Sequence, residues 1–397
     1  MDLTFLRRQL HQQIIDHPRM MQLVKLPEDN KRRVLKSWIQ DSLIAHQSTL
    51  TKEQTEELSH DLENEILGLG PLEALLLDPT ISDILVNGPK QIYVEKQGQL
   101  ILHTATFDDA HHVKHTIDKI ISPLGRRLDE SHPMVDARLK DGSRLNAILP
   151  PLAINGPILS IRRFNHGQNI HFTQLINHHS LTKAMADLCS SYVEQGANIL
   201  VSGGTGSGKT TFLNILASQI PTHERVITIE DAAELRIRHP HIVSLETKPA
   251  NTEGEKEITG EQLLKNALRM RPNRILFGEL RGREAWDLMQ AMNTGHPGSM
   301  TTIHANSAQH ALIRLEQLIV SFHDYSASKL NDQLKQTVDV VIHLERTSSG
   351  QRRVVSINEL HPKKQSALVP LYYFNGSDFI RTSRQSKYHS LTSRIFL

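Results

Sequence analysis

Residues 198–210 read NILVSGGTGSGKT: the apolar run Ile199-Leu200-Val201 leads through Ser202 into Gly203-Gly204-Thr205-Gly206-Ser207-Gly208-Lys209-Thr210. This is a complete G-x-x-x-x-G-K-[ST] loop, placed after a strand-like run and ahead of a helix expected over 208–219. The residue types follow from the chemistry of holding phosphate. Glycines let backbone N–H groups turn inward, and the N-terminus of the following helix adds partial positive charge. Lys209 is expected to reach the β- and γ-phosphates, and Thr210 to offer its hydroxyl to Mg²⁺. Gly203, Gly204, Thr205, Gly206, Ser207, Gly208, Lys209, Thr210 and Thr211 therefore form the expected ATP-binding set.

Outward from the loop, helices alternate with strands: helix 181–195, strand NILVSG, helix 208–219, strands RVITIE and RILFGE, helix 283–292, strand GSMTTIH and helix 307–321. Such alternation predicts an α/β layer around a mostly parallel sheet. Two of these strands end in acid, Glu230 with Asp231 and Glu234 beyond it, and Glu279. Ligands of open parallel sheets gather at the carboxyl ends of the strands, so these acids converge on the phosphates. Glu279 is expected to act as general base or to orient the attacking water, with Glu230 holding Mg²⁺ through water or polarising the nucleophile. Acids at 230, 231 and 234 suit helix N-terminal capping equally well. His296 and His304 flank the strand GSMTTIH and are placed to sense a γ-phosphate. Arginines are abundant, with Arg269, Arg271, Arg274, Arg281 and Arg283 around the Glu279 strand and Arg126, Arg127, Arg138, Arg144, Arg162 and Arg163 upstream.

Residues 1–60 show apolar recurrence at helical spacing, as in Val34, Leu35, Trp38 and Ile39, and predict a helical N-terminal region. Gly68, Gly70 and Pro71 punctuate the chain, and the runs SDILVNG, QIYVEKQGQL, SRLNAIL and ILSIRRF with a helix near 109–121 predict an α+β domain over 61–165. The polar, Asn- and His-rich stretch over 166–180 suits a linker and hinge, leaving 181–397 as the nucleotide-binding domain. Beyond Glu345 a hairpin-like RTSSGQRRVVSI and the tail offer little chemistry.

The composition narrows the classes. The 397 residues carry 45 Lys+Arg against 43 Asp+Glu, a net charge of +2, with 5% aromatic residues. That balance excludes a bulk electrostatic hold on nucleic acid and gives little support to a helicase or DNA translocase, which needs a basic or aromatic channel. One cysteine, Cys189, excludes an intramolecular disulfide and a multi-cysteine zinc site. No apolar run approaches the ~20 residues that cross a bilayer, so a cytoplasmic location is expected. A nucleotide-gated scaffold without turnover is the non-enzymatic alternative.

Taken together, LGLGPLEALLLDPTISDILVNGP, DARLKDGSRLNAILPPLAINGPILSIRRF, GGTGSGKTT, ERVITIEDAAEL and ALRMRPNRILFGELRGREAWDLMQAMNTGHPGSMTTIHANS span residues 65–345 or so. In order and density they resemble the secretion-superfamily traffic ATPases, most closely the tight-adherence (Tad/Flp) pilus assembly branch, related to the type IV and type II secretion ATPases. The resemblance implies an N-terminal PAS-like α+β domain and a C-terminal RecA-like P-loop NTPase core that sandwich ATP and Mg²⁺. It further implies a homohexameric motor, held peripherally at the inner membrane by platform proteins that assemble a pilus or export protein. By motif, Lys209 and Thr210 belong to Walker A, Glu230 and Asp231 to the Asp box, Glu279 to Walker B, and His296 and His304 to the His box. Arg138, Arg144 and Arg162 match the N-terminal arginines that reach nucleotide in the family.

Overall fold

The computed structural model describes residues 3–23, 25–44, 50–96, 98–139, 141–163, 170–248, 257–323, 327–347, 350–361 and 368–388. The chain divides into two compact units, Met1–His166 and Gly167–Leu397.

The first unit opens with helices α1 (Leu3–Ile15), α2 (Met20–Leu23), α3 (Glu28–Ile44), α4 (Lys52–Ile66) and α5 (Glu73–Leu77). Leu6, Leu10 and Ile14 of α1 and Leu35, Ile39 and Leu43 of α3 recur every fourth residue and are buried together against Leu58 and Leu62 of α4. Val34 and Trp38 pack at the margin of this core. Thr51 caps α4 in a box with Gln54, and Lys119 Nζ closes its other end by donating to the carbonyls of Glu65 (2.6 Å) and Gly68 (3.0 Å). Strands β1 (Ile81–Asn87), β2 (Ile92–Lys96), β3 (Gln99–His103), β4 (Met134–Arg138), β5 (Arg144–Ile148) and β6 (Ile158–Arg162) form an antiparallel sheet of order β3-β2-β1-β6-β5-β4. Helix α6 (Ala110–Ile121), capped by Asp109, covers one face with Val113, Ile117 and Ile121. The run QIYVEKQGQL is two strands, and β4 adds an edge that the sequence pattern did not announce.

In the second unit, α7 (Phe172–Asn177) lies within the expected 166–180 connection, whose first residues fall outside those described, and Phe172, Leu175 and Ile176 pack on the core of this unit. The nine-stranded sheet has the order β15-β14-β13-β12-β7-β11-β10-β8-β9. Its parallel part comprises β7 (Ile199–Gly203), β8 (Val226–Glu230), β9 (Ile242–Glu246), β10 (Arg274–Phe277), β11 (Met300–His304) and β12 (Val340–Arg346). β13 (Arg352–Leu360), β14 (Leu368–Phe374) and β15 (Phe379–Arg381) extend it antiparallel. Helices α8 (Lys183–Glu194) and α9 (Lys209–Ala217) bury one face, where Cys189 is fully enclosed. Helices α10 (Gly260–Ala267), α11 (Glu284–Asn293), α12 (Ala308–Val320) and α13 (Ala327–Thr337) bury the other. Strands covered on both faces read as unbroken apolar runs, which is why ILV, VITI and ILF stand out in the sequence.

The amino edge of the parallel strands is closed by paired charge. Arg274 is buried beside Glu224, which accepts from its Nε and, at 2.9 Å, from Nη2. Its guanidinium fills the space that a Cβ on Gly298 would need, at a left-handed φ of 75°. Farther along this edge the fully buried Glu359 accepts from Tyr192 Oη at 2.9 Å and from the Lys387 N–H at 3.1 Å, tying the last described segment to the sheet. Among the described residues no helix is long and apolar enough to cross a membrane.

Candidate functional site

The loop leaves β7 at Gly203, where any Cβ would meet the Leu344 carbonyl at 2.3 Å and Ser207 Oγ at 2.5 Å, so only glycine fits. Gly206 (φ 70°) and Gly208 (φ 94°) take left-handed backbone, which turns the chain directly into α9. Lys209 Nζ donates to the Gly203 and Gly204 carbonyls at 3.0 and 2.8 Å, folding over the loop it belongs to. Ser207 Oγ donates to the Gly204 carbonyl at 2.9 Å. Thr210 is half-buried and Thr211 exposed in the first turn of α9. Amides at a helix N-terminus around a glycine cradle, with a lysine at hand, fit an anionic phosphate.

Parallel register brings further groups to the same edge. His304 pairs with Gly203, and its Nε2 lies 3.0 Å from Thr205 Oγ1. Burial, and then the charge of Lys209, push its pKa below the ordinary imidazole value, with Glu279 opposing. Glu279 follows β10 and its Oε2 accepts from Arg281 Nη2 at 2.7 Å; Arg281 Nη1 also lies 3.5 Å from Asp231 Oδ2. Glu230 ends β8 almost fully buried, its methylenes against Gly278. One oxygen, Oε2, accepts from the Glu234 and Leu235 N–H groups at 2.8 and 3.0 Å, while Oε1 is buried with no partner. Burial raises its pKa to about 7, against the pull of those two N–H groups. A carboxylate oxygen left unsatisfied at the end of a strand is an open acceptor for a hydrated cation or a water. Among the described residues no cluster of three or more His, Cys, Asp or Glu is arranged for a metal.

His296 is placed elsewhere. It precedes β11 whereas His304 ends it, and its Nδ1 lies 3.1 Å from the Pro272 carbonyl at the amino edge. Within one chain a strand separates it from the phosphate loop, and of the two histidines it is His304 whose ring lies against that loop.

Residues 65–384 match the type II/IV secretion system protein family. The chain belongs to this family. It is 38% identical over 302 residues to a putative conjugal transfer protein of Mycobacterium tuberculosis, covering 75% of this chain and 85% of the relative. It is 29% identical over 343 residues to the type IV secretion system protein VirB11 of Bartonella quintana, covering 75% and 95%. The crystal structure of the pilus retraction motor PilT with bound ADP superposes with a TM-score of 0.52 at 21% identity, over 74% of this chain and 82% of that one, which shows a shared RecA-like fold.

In this secretion-family chain, two arginine groups gain a position that the sequence could not give them. Arg138, Arg144 and Arg162 lie directly opposite one another across β4, β5 and β6, so they form a single row on one face of the first unit's sheet, continued by Asp83 on β1. Like charges in direct cross-strand register cost stability, which marks such a row as an anion-binding candidate. Of the arginines near Glu279, Arg274 is committed to Glu224, Arg283 stacks over Phe322 at 5.2 Å, and Arg281 faces the site.

Sequence reasoning found the hairpin RTSSGQRRVVSI, which forms between β12 and β13, but gave it no chemistry; its Arg352 Nε donates to the Gly206 carbonyl at 3.0 Å. It also missed His343, buried on β12 beside Ser202 (Oγ to Nδ1, 2.9 Å), its pKa lowered chiefly by burial. The available signal was the run Val340-Val341-Ile342 ahead of His343 and Leu344, which reads as a doubly covered strand in the same way as RILF.

Proposed function

We propose that this protein hydrolyses Mg-ATP and uses the energy as the motor of a pilus-assembly or secretion machine. The observation that carries this reading is the convergence at one sheet edge of a complete phosphate loop, Lys209, Glu279 and a buried Glu230 with a free-standing oxygen. Loop amides from Gly204 to Thr210 and the N-terminus of α9 bind the phosphates. Lys209 exchanges its two carbonyl acceptors for β- and γ-phosphate oxygens. Thr210, Glu230 and Glu279 would hold Mg²⁺, which would withdraw charge from the transferred phosphoryl group. Glu279, kept in place by Arg281, orients the attacking water and takes its proton. His304, hydrogen-bonded to the loop at Thr205, reads the presence of the γ-phosphate. Arg138, Arg144 and Arg162 are the arginines that the family resemblance assigns to the nucleotide.

The motor reading draws on the names of relatives: a type IV secretion system protein and, by fold, a pilus retraction motor. On this reading the chain acts as a homohexamer on the cytoplasmic side of an inner-membrane platform, resembles the tight-adherence branch by motif and has no direct hold on nucleic acid. Steady-state Mg-ATP hydrolysis by wild type and Glu279→Gln, each with and without single-stranded DNA, tests it. Turnover that falls about 10²–10⁴-fold in the variant and ignores DNA is the expected result. Strong stimulation by DNA would move the assignment to a translocase, and nucleotide binding without turnover to a gated scaffold.

A further inference from the structure

The β12–β13 hairpin forms one wall of the phosphate loop. Leu344 is in register with Gly203, and its carbonyl occupies the space closed to a side chain there. Arg346 and Arg352 face each other across the antiparallel ladder, which puts two guanidinium groups on one rim. Arg352 Nε donates to the Gly206 carbonyl at 3.0 Å, and its Cδ lies 3.3 Å from where a Cβ on Gly208 would be. Arg346 Nη1 lies 3.5 Å from the corresponding point on Gly206.

We infer that Arg352 is a positioning residue for nucleotide binding, holding the Gly206 carbonyl outward so that the Ser207 N–H is aimed into the loop. The Gly206 carbonyl and the Ser207 N–H belong to one planar trans peptide and point in opposite directions, so fixing either fixes the other. The Ser207 N–H is directed across the loop toward the Gly204 carbonyl, 3.4 Å away. Within the loop that peptide is held by this long bond and by Ser207 Oγ on the same carbonyl, the glycines at 203, 204, 206 and 208 add no stiffness, and converging amides are what make the loop an anion site. Lys209 cannot do this, because its bonds to the Gly203 and Gly204 carbonyls are the ones surrendered when it reaches phosphate. The Arg352 bond lies on the outer side and survives binding. Its anchor is firm, since β13 buries Val354, Ile357 and Leu360 in the core. A guanidinium adds a charge-assisted bond and a cation beside the bound anion.

This inference rests on the ATP-binding reading above. The test is calorimetric binding of Mg-ADP and steady-state Mg-ATP turnover by the full chain as wild type, Arg352→Ala and Arg352→Lys, with the ligand-free melting temperature of each. Binding by the loop is shared by ground and transition states, so Arg352→Ala should weaken Mg-ADP about tenfold and raise KM to match, with kcat within about twofold. Arg352→Lys should recover part of the affinity. The melting temperature should not move, because Arg352 is exposed. Wild-type affinity in Arg352→Ala overturns the inference, as does a loss matched by a fall in the ligand-free melting temperature. A wild type that binds no nucleotide overturns the parent reading and this inference with it.

Discussion

At the carboxyl edge of the nine-stranded sheet Glu230 keeps one buried oxygen without a partner, whereas at the amino edge Arg274 and Glu359 are buried in full complements of ion pairs and hydrogen bonds. Both edges bury charge, and the same strands run between them. The amino edge uses charge as a fastener: Arg274 plugs the turn at Gly298, and Glu359 holds the segment around Lys387. The carboxyl edge leaves one carboxyl oxygen of Glu230 unfinished, beside a lysine hydrogen-bonded to loop carbonyls and a histidine with a depressed pKa. Incomplete satisfaction costs stability, and it persists where a ligand completes the set.

The largest effect that sharpens this contrast belongs to the amino edge. Glu224→Ala strands the Arg274 guanidinium, which is 4% exposed, so stability in urea unfolding should fall by about 3–5 kcal/mol. Turnover of the protein that remains folded should keep its KM. If stability fell by less than about 1 kcal/mol, the range of an exposed pair, the fastener reading would fail.

Next comes Glu230→Gln, which should stabilise. A carboxyl whose folded pKa of about 7 lies above its unfolded value favours the protonated state, so stability falls as pH rises from the ordinary glutamate range to about 7 and stays low beyond. Glutamine mimics the neutral form and removes that decline. The melting temperature of the variant should exceed wild type by a few degrees at pH 8.5 and differ little at pH 5, while activity is lost. Equal melting curves at both pH values would mean that Glu230 is not strained.

The parallel core was legible because doubly covered strands have to be apolar throughout, as ILV, VITI and ILF are, and because a phosphate loop restricts its residues to glycine, lysine and threonine. The helices at 109–121, 283–292 and 307–321 were equally readable, and the structure adds the caps Asp109 and Ser307, which accept from the third helical N–H. For Glu230, sequence could not separate helix capping from catalysis; the structure starts no helix between β8 and β9, and Oε2 accepts from the loop N–H groups of Glu234 and Leu235 while Oε1 is buried without a partner. The arginine row was illegible because Arg138, Arg144 and Arg162 become neighbours only through cross-strand register. The hairpin at Arg352 was passed over for the same reason: its chemistry depends on β12 lying next to β7, a pairing across about 140 residues that local pattern does not encode.

The smallest effect asks whether the two edges are independent. His296 and His304 are separated by the strand Met300–His304, and an extended chain advances about 3.3 Å per residue, so one chain cannot place both at one phosphate. His304→Asn removes the imidazole beside Thr205 and should lower kcat about tenfold without moving the melting temperature by more than about two degrees. His296→Asn loses a contact to the Pro272 carbonyl and should leave kcat within about threefold. If His296→Asn instead matched His304→Asn in kcat at unchanged stability, the amino edge of one copy would have to meet the carboxyl edge of another. The contrast between fastener and reactive edge would then hold only within a chain, and the working site would belong to an assembly.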